Sequence, residues 1–203
     1  MVAKQFGRNK RMEYMVKAQV LGGGRGMGHF KENNFHGGVH KCRNPEEVKE
    51  VAEKMCGKTL ITKQSGEIGF PCNCVYIVER LDIEKEYYLS LILDRKEGCP
   101  VFIYSSAGGM SIEDVAHTNP EKIHKIPIDI NKGVDIEPLL KACSDLGLDE
   151  HKSQMVFLFK HLYDCFLEKD CELIEINPVS LTREGSILAA DSKIVIDDNA
   201  MFR

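Results

Sequence analysis

The chain has 203 residues, with 27 Lys or Arg and 31 Asp or Glu, so its formal net charge is −4. This length suits one large domain or two small lobes, and the interspersed charges argue against a nucleic-acid-binding surface. Hydrophobic residues make up 43% of the sequence, and no apolar run approaches the ~18 residues of a membrane span. The composition indicates a globular protein and excludes a membrane-spanning or intrinsically disordered one.

The first half of the chain begins with a predicted strand and a glycine-rich loop. Residues 14–21 form a β-rich run that stops at Gly22. Seven glycines lie between positions 22 and 38. Asn44 followed by Pro45 is typical of a helix start, and the apolar spacing predicts a helix over 45–56. Further strands are predicted at 59–63, 74–79, 87–94 and 100–104.

The second half of the chain combines three predicted helices with a terminal hairpin. The helices are expected to begin at Ser111, at Pro138 and near Ser153, and the last carries Val156, Phe159, Tyr163 and Phe166 on one face. Extended segments follow at 171–177, 186–191 and 194–196. Because the strands cluster instead of alternating with helices, we expect an α+β fold with helices on one side of antiparallel sheets.

The glycine-rich loop is the first candidate binding segment. Glycines allow backbone amides to approach phosphate oxygens closely, and Arg25 lies between Gly24 and Gly26. The loop is not a Walker A motif, because no Gly-Lys-Ser/Thr follows, and it does not fit GxGxxG. An ordinary surface turn is the alternative interpretation.

Two sets of polar residues, each containing carboxylates, are the remaining candidates. In the predicted strand 171–177, Glu175 and Asn177 share a face, and Asp191 on the returning strand can reach it. Such oxygen ligands suit Mg²⁺, although a solvated hairpin face has the same pattern. Glu79 ends one predicted strand and Glu86 opens the next, so we expect both at one cleft, where carboxylates can accept hydrogen bonds from a ribose or a base. Solvated turn charges are the alternative there.

Together, these motifs resemble one family. The segments concerned are residues 17–26 (KAQVLGGGRG), 37–39, 62–64, 105–116 (SSAGGMSIEDVA) and 174–178 (IEINP). In this order they are similar to the β subunit of succinyl-CoA synthetase, also called succinate–CoA ligase, in its ATP-grasp domain. The resemblance implies an ATP-grasp fold in which two lobes clamp a nucleotide, with a smaller lobe at about 17–100 and a larger one at about 101–203.

The resemblance also implies roles for individual residues. It makes Asn177 and Asp191 ligands of Mg²⁺ and Glu175 the acid that holds the phosphohistidine loop of a partner α subunit. The nucleotide, ATP/ADP or GTP/GDP, would be bound by Lys17, Gly24, Arg25, Gly26, Glu79 and Glu86. The implied reaction converts succinate, CoA and a nucleoside triphosphate reversibly into succinyl-CoA, diphosphate and phosphate, in a mitochondrial matrix or a bacterial cytoplasm.

Three departures from the family pattern qualify this expectation. Met27 stands where the family usually has Lys. Residues 1–10 resemble the end of the family's first helix, so its opening strand and helix are expected to be missing, and the C-terminal CoA-ligase domain is expected to be absent after residue 203. We therefore expect the chain alone to be inactive. A non-catalytic degenerate ATP-grasp module and a related acyl-CoA ligase, such as malate–CoA ligase or an ATP-citrate lyase, are the alternatives.

Overall fold

The computed structural model describes residues 13–202, which form two compact units that meet in sequence at Arg80 and Leu81. This division lies earlier than the predicted boundary near residue 100. The reason is that the strand Ile83–Asp94 pairs along most of its length with strands of the second unit. Residues 1–10, predicted as the end of a helix, lie outside the described residues.

The first unit consists of two small antiparallel sheets and one helix. Its strands are β1 (Tyr14–Gln19), β2 (His29–Phe30), β3 (Val39–Cys42), β4 (Lys58–Ile61), β5 (Phe70–Cys72) and β6 (Cys74–Glu79), and its helix is α1 (Pro45–Met55). The sheets have the orders β3-β1-β6 and β2-β4-β5. The Asn44 side chain accepts a hydrogen bond from the Glu47 amide at 2.8 Å, which confirms the predicted helix start.

The second unit is built on one antiparallel sheet of six strands. Its order is β11-β10-β7-β8-β9, with β12 paired to β10. The strands are β7 (Ile83–Asp94), β8 (Cys99–Ser105), β9 (Ile123–Pro127), β10 (Cys171–Thr182), β11 (Ile187–Ala189) and β12 (Ser192–Ile196), and the helices are α2 (Ile112–Thr118), α3 (Ile136–Asp145) and α4 (Lys152–Glu168).

The core of the second unit lies between this sheet and the helices α3 and α4. The predicted apolar face of α4 is confirmed, because Val156, Phe159, Tyr163 and Phe166 are all buried. The Phe159 ring meets the Phe102 ring edge-on, with 5.0 Å between centroids. Antiparallel sheets with helices packed on one face confirm the α+β prediction.

Several strands differ from the predictions: the strands β2, β3, β5 and β9 were not predicted, and β7 begins earlier than expected. β7 begins at Ile83 instead of Tyr87, so Glu86 lies within the strand and does not open it. The charged residues 84–86 hide this extension in the sequence, but Lys85 and Glu86 pair with β10. β9 was not predicted as a strand. The segment becomes a strand because it pairs antiparallel with β8, and this pairing is not visible in its short run of apolar and polar residues. Within residues 13–202, no helix is long and apolar enough to cross a membrane.

Candidate functional site

The glycine-rich loop folds back onto the central strand of the first unit. Gly24 adopts a left-handed conformation with φ of 72°. The Arg25 guanidinium donates to the Ala18 carbonyl at 3.1 Å, and the Arg25 carbonyl accepts from the Gly38 amide at 2.8 Å. The structure therefore brings Arg25 to β1 beside Lys17, two candidates that are eight positions apart in sequence.

Lys17 and Glu79 lie on opposite faces of the same sheet. Tyr14 pairs with Glu79 and Lys17 pairs with Tyr76, so the two candidates differ by an odd number of positions along the strands. Glu79 is exposed at the end of β6, as predicted. Met27, which replaces the family's usual Lys, is 96% exposed.

The face of the large sheet turned away from α3 and α4 is rich in polar groups. Strand alternation puts Glu86, Tyr88 and Ser90 of β7 on this face, and the register adds Glu175 of β10 opposite Ser90. On β12, Lys193 lies opposite Glu175. Ile174 and Ile176, on either side of Glu175 along β10, are both buried. Glu175 thus stands on the polar face, as the sequence indicated.

Glu175 is held by a tyrosine that the sequence analysis did not identify. The Tyr88 hydroxyl donates to Glu175 Oε2 at 3.2 Å. Burial, reinforced by the Glu175 charge, raises the pKa of Tyr88, so the phenol stays protonated and remains a donor. The sequence signal that could have identified Tyr88 is its spacing from Glu86. The two residues are two positions apart in one strand, so their side chains lie on the same face.

A second carboxylate, Glu113, lies close enough to Tyr88 and Lys193 to interact with both electrostatically. The Ser111 hydroxyl donates to Glu113 Oε2 at 2.7 Å and lowers the pKa of Glu113, and the charge of Lys193 acts in the same direction. Both the Glu175 and Glu113 charges act on Tyr88. The arrangement is a polar cluster with two carboxylates, one ammonium and one phenol.

Asn177 and Asp191 lie on adjacent chain segments. Asn177 and Pro178 form a bulge in the pairing of β10 with β7. On the neighbouring segment the Ala190 amide donates to the Pro178 carbonyl at 3.1 Å, and Ser192 pairs with Ile176. Asp191, between these two contacts, is therefore beside Asn177, as the sequence analysis expected.

The Asn177 side chain is engaged by the loop between β8 and α2. Its Oδ1 accepts from the Gly109 amide at 2.8 Å, and its Nδ2 donates to the Met110 carbonyl at 2.7 Å. The same loop contacts Glu86, whose carbonyl accepts from the Gly108 amide at 3.3 Å. Glu86 and Asn177, which were predicted separately, are thus joined through two glycines.

The donor set suits magnesium that is shared with another ligand. Within residues 13–202, no group of three or more His, Cys, Asp and Glu side chains is arranged to hold a metal. Asn177 and Asp191 provide two hard oxygen donors on adjacent segments, and Mg²⁺ is commonly bound by one or two protein oxygens together with phosphates and waters. The residues present therefore fit a phosphate-associated Mg²⁺ and do not fit a metal caged by protein alone.

Comparison with known proteins decides the family. A family model described as an ATP-grasp domain matches residues 1–181. The chain belongs to the ATP-grasp family. A similar fold is seen in the structure of an ATP citrate lyase from Methanothrix soehngenii. The aligned region covers 95% of this chain and 40% of the lyase chain, with a TM-score of 0.69 and 20% sequence identity.

Curated relatives of this ATP-grasp chain are β subunits of ADP-forming succinate–CoA ligases. The hydrogenosomal subunit of Neocallimastix frontalis is 44% identical over 192 residues, covering 94% of this chain and 44% of the relative. The mitochondrial subunit of Dictyostelium discoideum is 46% identical over 192 residues, covering 94% of this chain and 43% of the relative. The chain thus spans less than half the length of these relatives.

Proposed function

We propose that this chain is the nucleotide-binding part of a succinate–CoA ligase β subunit. The observation that supports the proposal is the link between Asn177 and Glu86 through Gly108 and Gly109, because it joins the proposed metal ligand to a proposed nucleotide ligand. The similarity to β subunits of ADP-forming ligases supports ATP and ADP as the nucleotides, in preference to GTP and GDP.

Each candidate residue has a role in this proposal. Asn177 and Asp191 hold Mg²⁺, which when bound neutralises charge on phosphate oxygens. Lys17 and Arg25 supply positive charge to the phosphates, while Gly24 and Gly26 give the loop its close backbone approach. Glu86 accepts hydrogen bonds from the ribose or base. Glu79 lies on the sheet face opposite Lys17, but as the exposed last residue of β6 it can reach the same nucleotide from the end of the sheet and accept from the base. Glu175, oriented by Tyr88, acts on the phosphohistidine segment of an α subunit.

The proposal extends to the whole reaction only with a partner. An α subunit carrying the phosphorylated histidine would complete the reversible conversion of succinate, CoA and ATP into succinyl-CoA, ADP and phosphate, a step of the tricarboxylic acid cycle. The Dictyostelium relative is mitochondrial and the Neocallimastix relative is hydrogenosomal. We accordingly propose a mitochondrial matrix location, or the cytoplasm in a bacterial source.

Thermal unfolding with and without nucleotide tests this function. Because a ligand that binds only the folded state stabilises it, Mg²⁺·ADP at 100 times its Kd should stabilise the 203-residue chain by about 2.7 kcal/mol and raise Tm. Lys17→Ala should abolish the shift. Lys49→Ala, which removes a lysine exposed on α1, should retain it. A wild-type Tm that does not respond to Mg²⁺·ADP contradicts the proposal.

A further inference from the structure

The Gly108–Gly109 segment lies at the centre of the candidate site without contributing any side chain. It follows β8 and precedes α2, whose start is capped by the Ser111 hydroxyl accepting from the Asp114 amide at 3.2 Å. The Ala107 amide donates to the Ser105 hydroxyl at 3.1 Å. Both ends of the segment are therefore anchored, and its backbone is held in one place.

Gly108 brings the segment against β7. A Cβ at this position would overlap the backbone of Tyr87, so no other residue type fits without moving the strand or the loop. The Gly108 amide also donates to the Glu86 carbonyl. This hydrogen bond fixes the distance between the loop and β7, the strand that carries Glu86 and Tyr88.

Gly109 meets both predicted ligands at once. It has a φ of +71° and its amide donates to Asn177 Oδ1, while a Cβ on it would overlap the carboxylate of Glu86. An amide oxygen has two acceptor positions. With Gly109 occupying one of them, the direction of the other, the one available to a metal ion, is set by the loop.

We propose that Gly109 is a positioning residue for the magnesium–nucleotide site. Its amide orients Asn177 Oδ1, and its missing side chain leaves the space in which the Glu86 carboxylate lies. Asn177 is then required as an amide, since its Oδ1 accepts from the Gly109 amide and its Nδ2 donates to the Met110 carbonyl. The link of this geometry to Mg²⁺ and ADP rests on the function proposed above.

The decisive variant is Gly109→Ala, with Gly98→Ala as its matched control. Gly98 also has a positive φ, +67°, but a Cβ on it meets nothing within 4 Å. Both substitutions therefore introduce similar backbone strain, and only one adds an atom beside Glu86. Calorimetric titration with ADP, in Mg²⁺ and again in EDTA, compares the two.

We expect Gly109→Ala to weaken Mg²⁺·ADP binding about tenfold, the loss typical of a displaced hydrogen bond. The displaced Glu86 carboxylate should lower the affinity in EDTA as well, whereas the misdirected Asn177 Oδ1 lowers only the affinity with Mg²⁺, so the ratio between the affinities with Mg²⁺ and in EDTA should become smaller. A purely structural role would lower both affinities together. Equal Mg²⁺·ADP affinity in Gly109→Ala and Gly98→Ala, or an unchanged ratio, overturns the proposal.

Asn177→Asp provides a second and independent variant. It keeps an oxygen for the metal but cannot donate to the Met110 carbonyl, so hydrogen exchange of the peptide covering 105–112 should accelerate about tenfold without ligand. Asn33→Asp is the control. Its Nδ2 donates to the Lys54 carbonyl and its Oδ1 accepts from the Phe35 amide, so it loses a similar bridge in the other unit. Unchanged exchange at 105–112 in Asn177→Asp overturns the proposal.

These measurements separate the inference from the function on which it rests. If wild-type protein and Gly98→Ala both fail to bind Mg²⁺·ADP, the proposed function is wrong. The exchange rates measured without ligand then decide whether the segment positions Asn177. Faster exchange in both Gly109→Ala and Asn177→Asp supports the positioning role even in that case.

Discussion

At the scale of single residues, Tyr87 and Tyr88 show how adjacent identical side chains acquire different roles. Both are buried, but strand alternation sends them to opposite faces of the sheet. The Tyr88 hydroxyl donates to Glu175, whereas the Tyr87 hydroxyl has no hydrogen-bond partner within the described residues. An unpaired buried hydroxyl is costly, and a paired one is stabilising.

We therefore predict opposite outcomes for two matched substitutions. Tyr88→Phe should lower the free energy of unfolding by about 1 kcal/mol, because it removes a hydrogen bond to a carboxylate and leaves that acceptor unpaired. Tyr87→Phe should be neutral or stabilising. Urea unfolding of both variants measures the difference, and equal destabilisation would argue against the hydrogen bond to Glu175.

At the scale of elements, α4 stabilises the second unit through one of its faces. Phe159 is fully buried and packs edge-on against Phe102. Phe157, two positions earlier, is 63% exposed and stacks only on His161 among the described aromatic contacts. The same residue type thus occurs on both faces of one helix.

These two phenylalanines predict how strongly the burial of a side chain determines what its removal costs in unfolding free energy. Phe159→Ala should cost about 3–5 kcal/mol of unfolding free energy, because it removes buried apolar surface and leaves a cavity. Phe157→Ala should stay within about 0.5 kcal/mol of wild type. Chemical denaturation of the two variants tests this, and a comparable loss in both would contradict the assigned packing of α4.

At the scale of the whole molecule, hydrogen bonds and nearby positive charges lower the pKa of carboxyl groups in both units. The groups concerned are Glu13, Glu32, Asp94, Glu113, Asp129, Asp149 and Asp197. A carboxyl whose pKa is lower in the folded state stabilises the protein above its unfolded pKa, and this stabilisation disappears as pH falls through the folded pKa.

The chain should accordingly be destabilised by acid. We expect its free energy of unfolding to decline as the pH falls below about 4, the ordinary range of these groups. Urea midpoints measured between neutral pH and this range test the prediction. A midpoint that stays constant down to the acid limit would show that these hydrogen bonds contribute no net stability. Raising the salt concentration should reduce mainly the part due to exposed ion pairs.

The sequence by itself determined the local elements and most candidate residues of this protein. The Asn44-Pro45 start of α1, the buried face of α4 and the alternation around Glu175 depend on neighbours along the chain, so their patterns are legible in the residues. The ordered motifs pointed to the ATP-grasp family because each glycine and acid was visible in its own segment.

Only the tertiary structure decided which of these segments meet. The start of β7 at charged residues, the strand β9, the opposite faces of Lys17 and Glu79, and the role of Tyr88 all depend on pairing between distant segments. Gly109 joins Glu86 and Asn177 across long stretches of sequence. Such contacts are set by strand register and by the space left beside a backbone, and neither quantity is carried by the periodicity of a single segment.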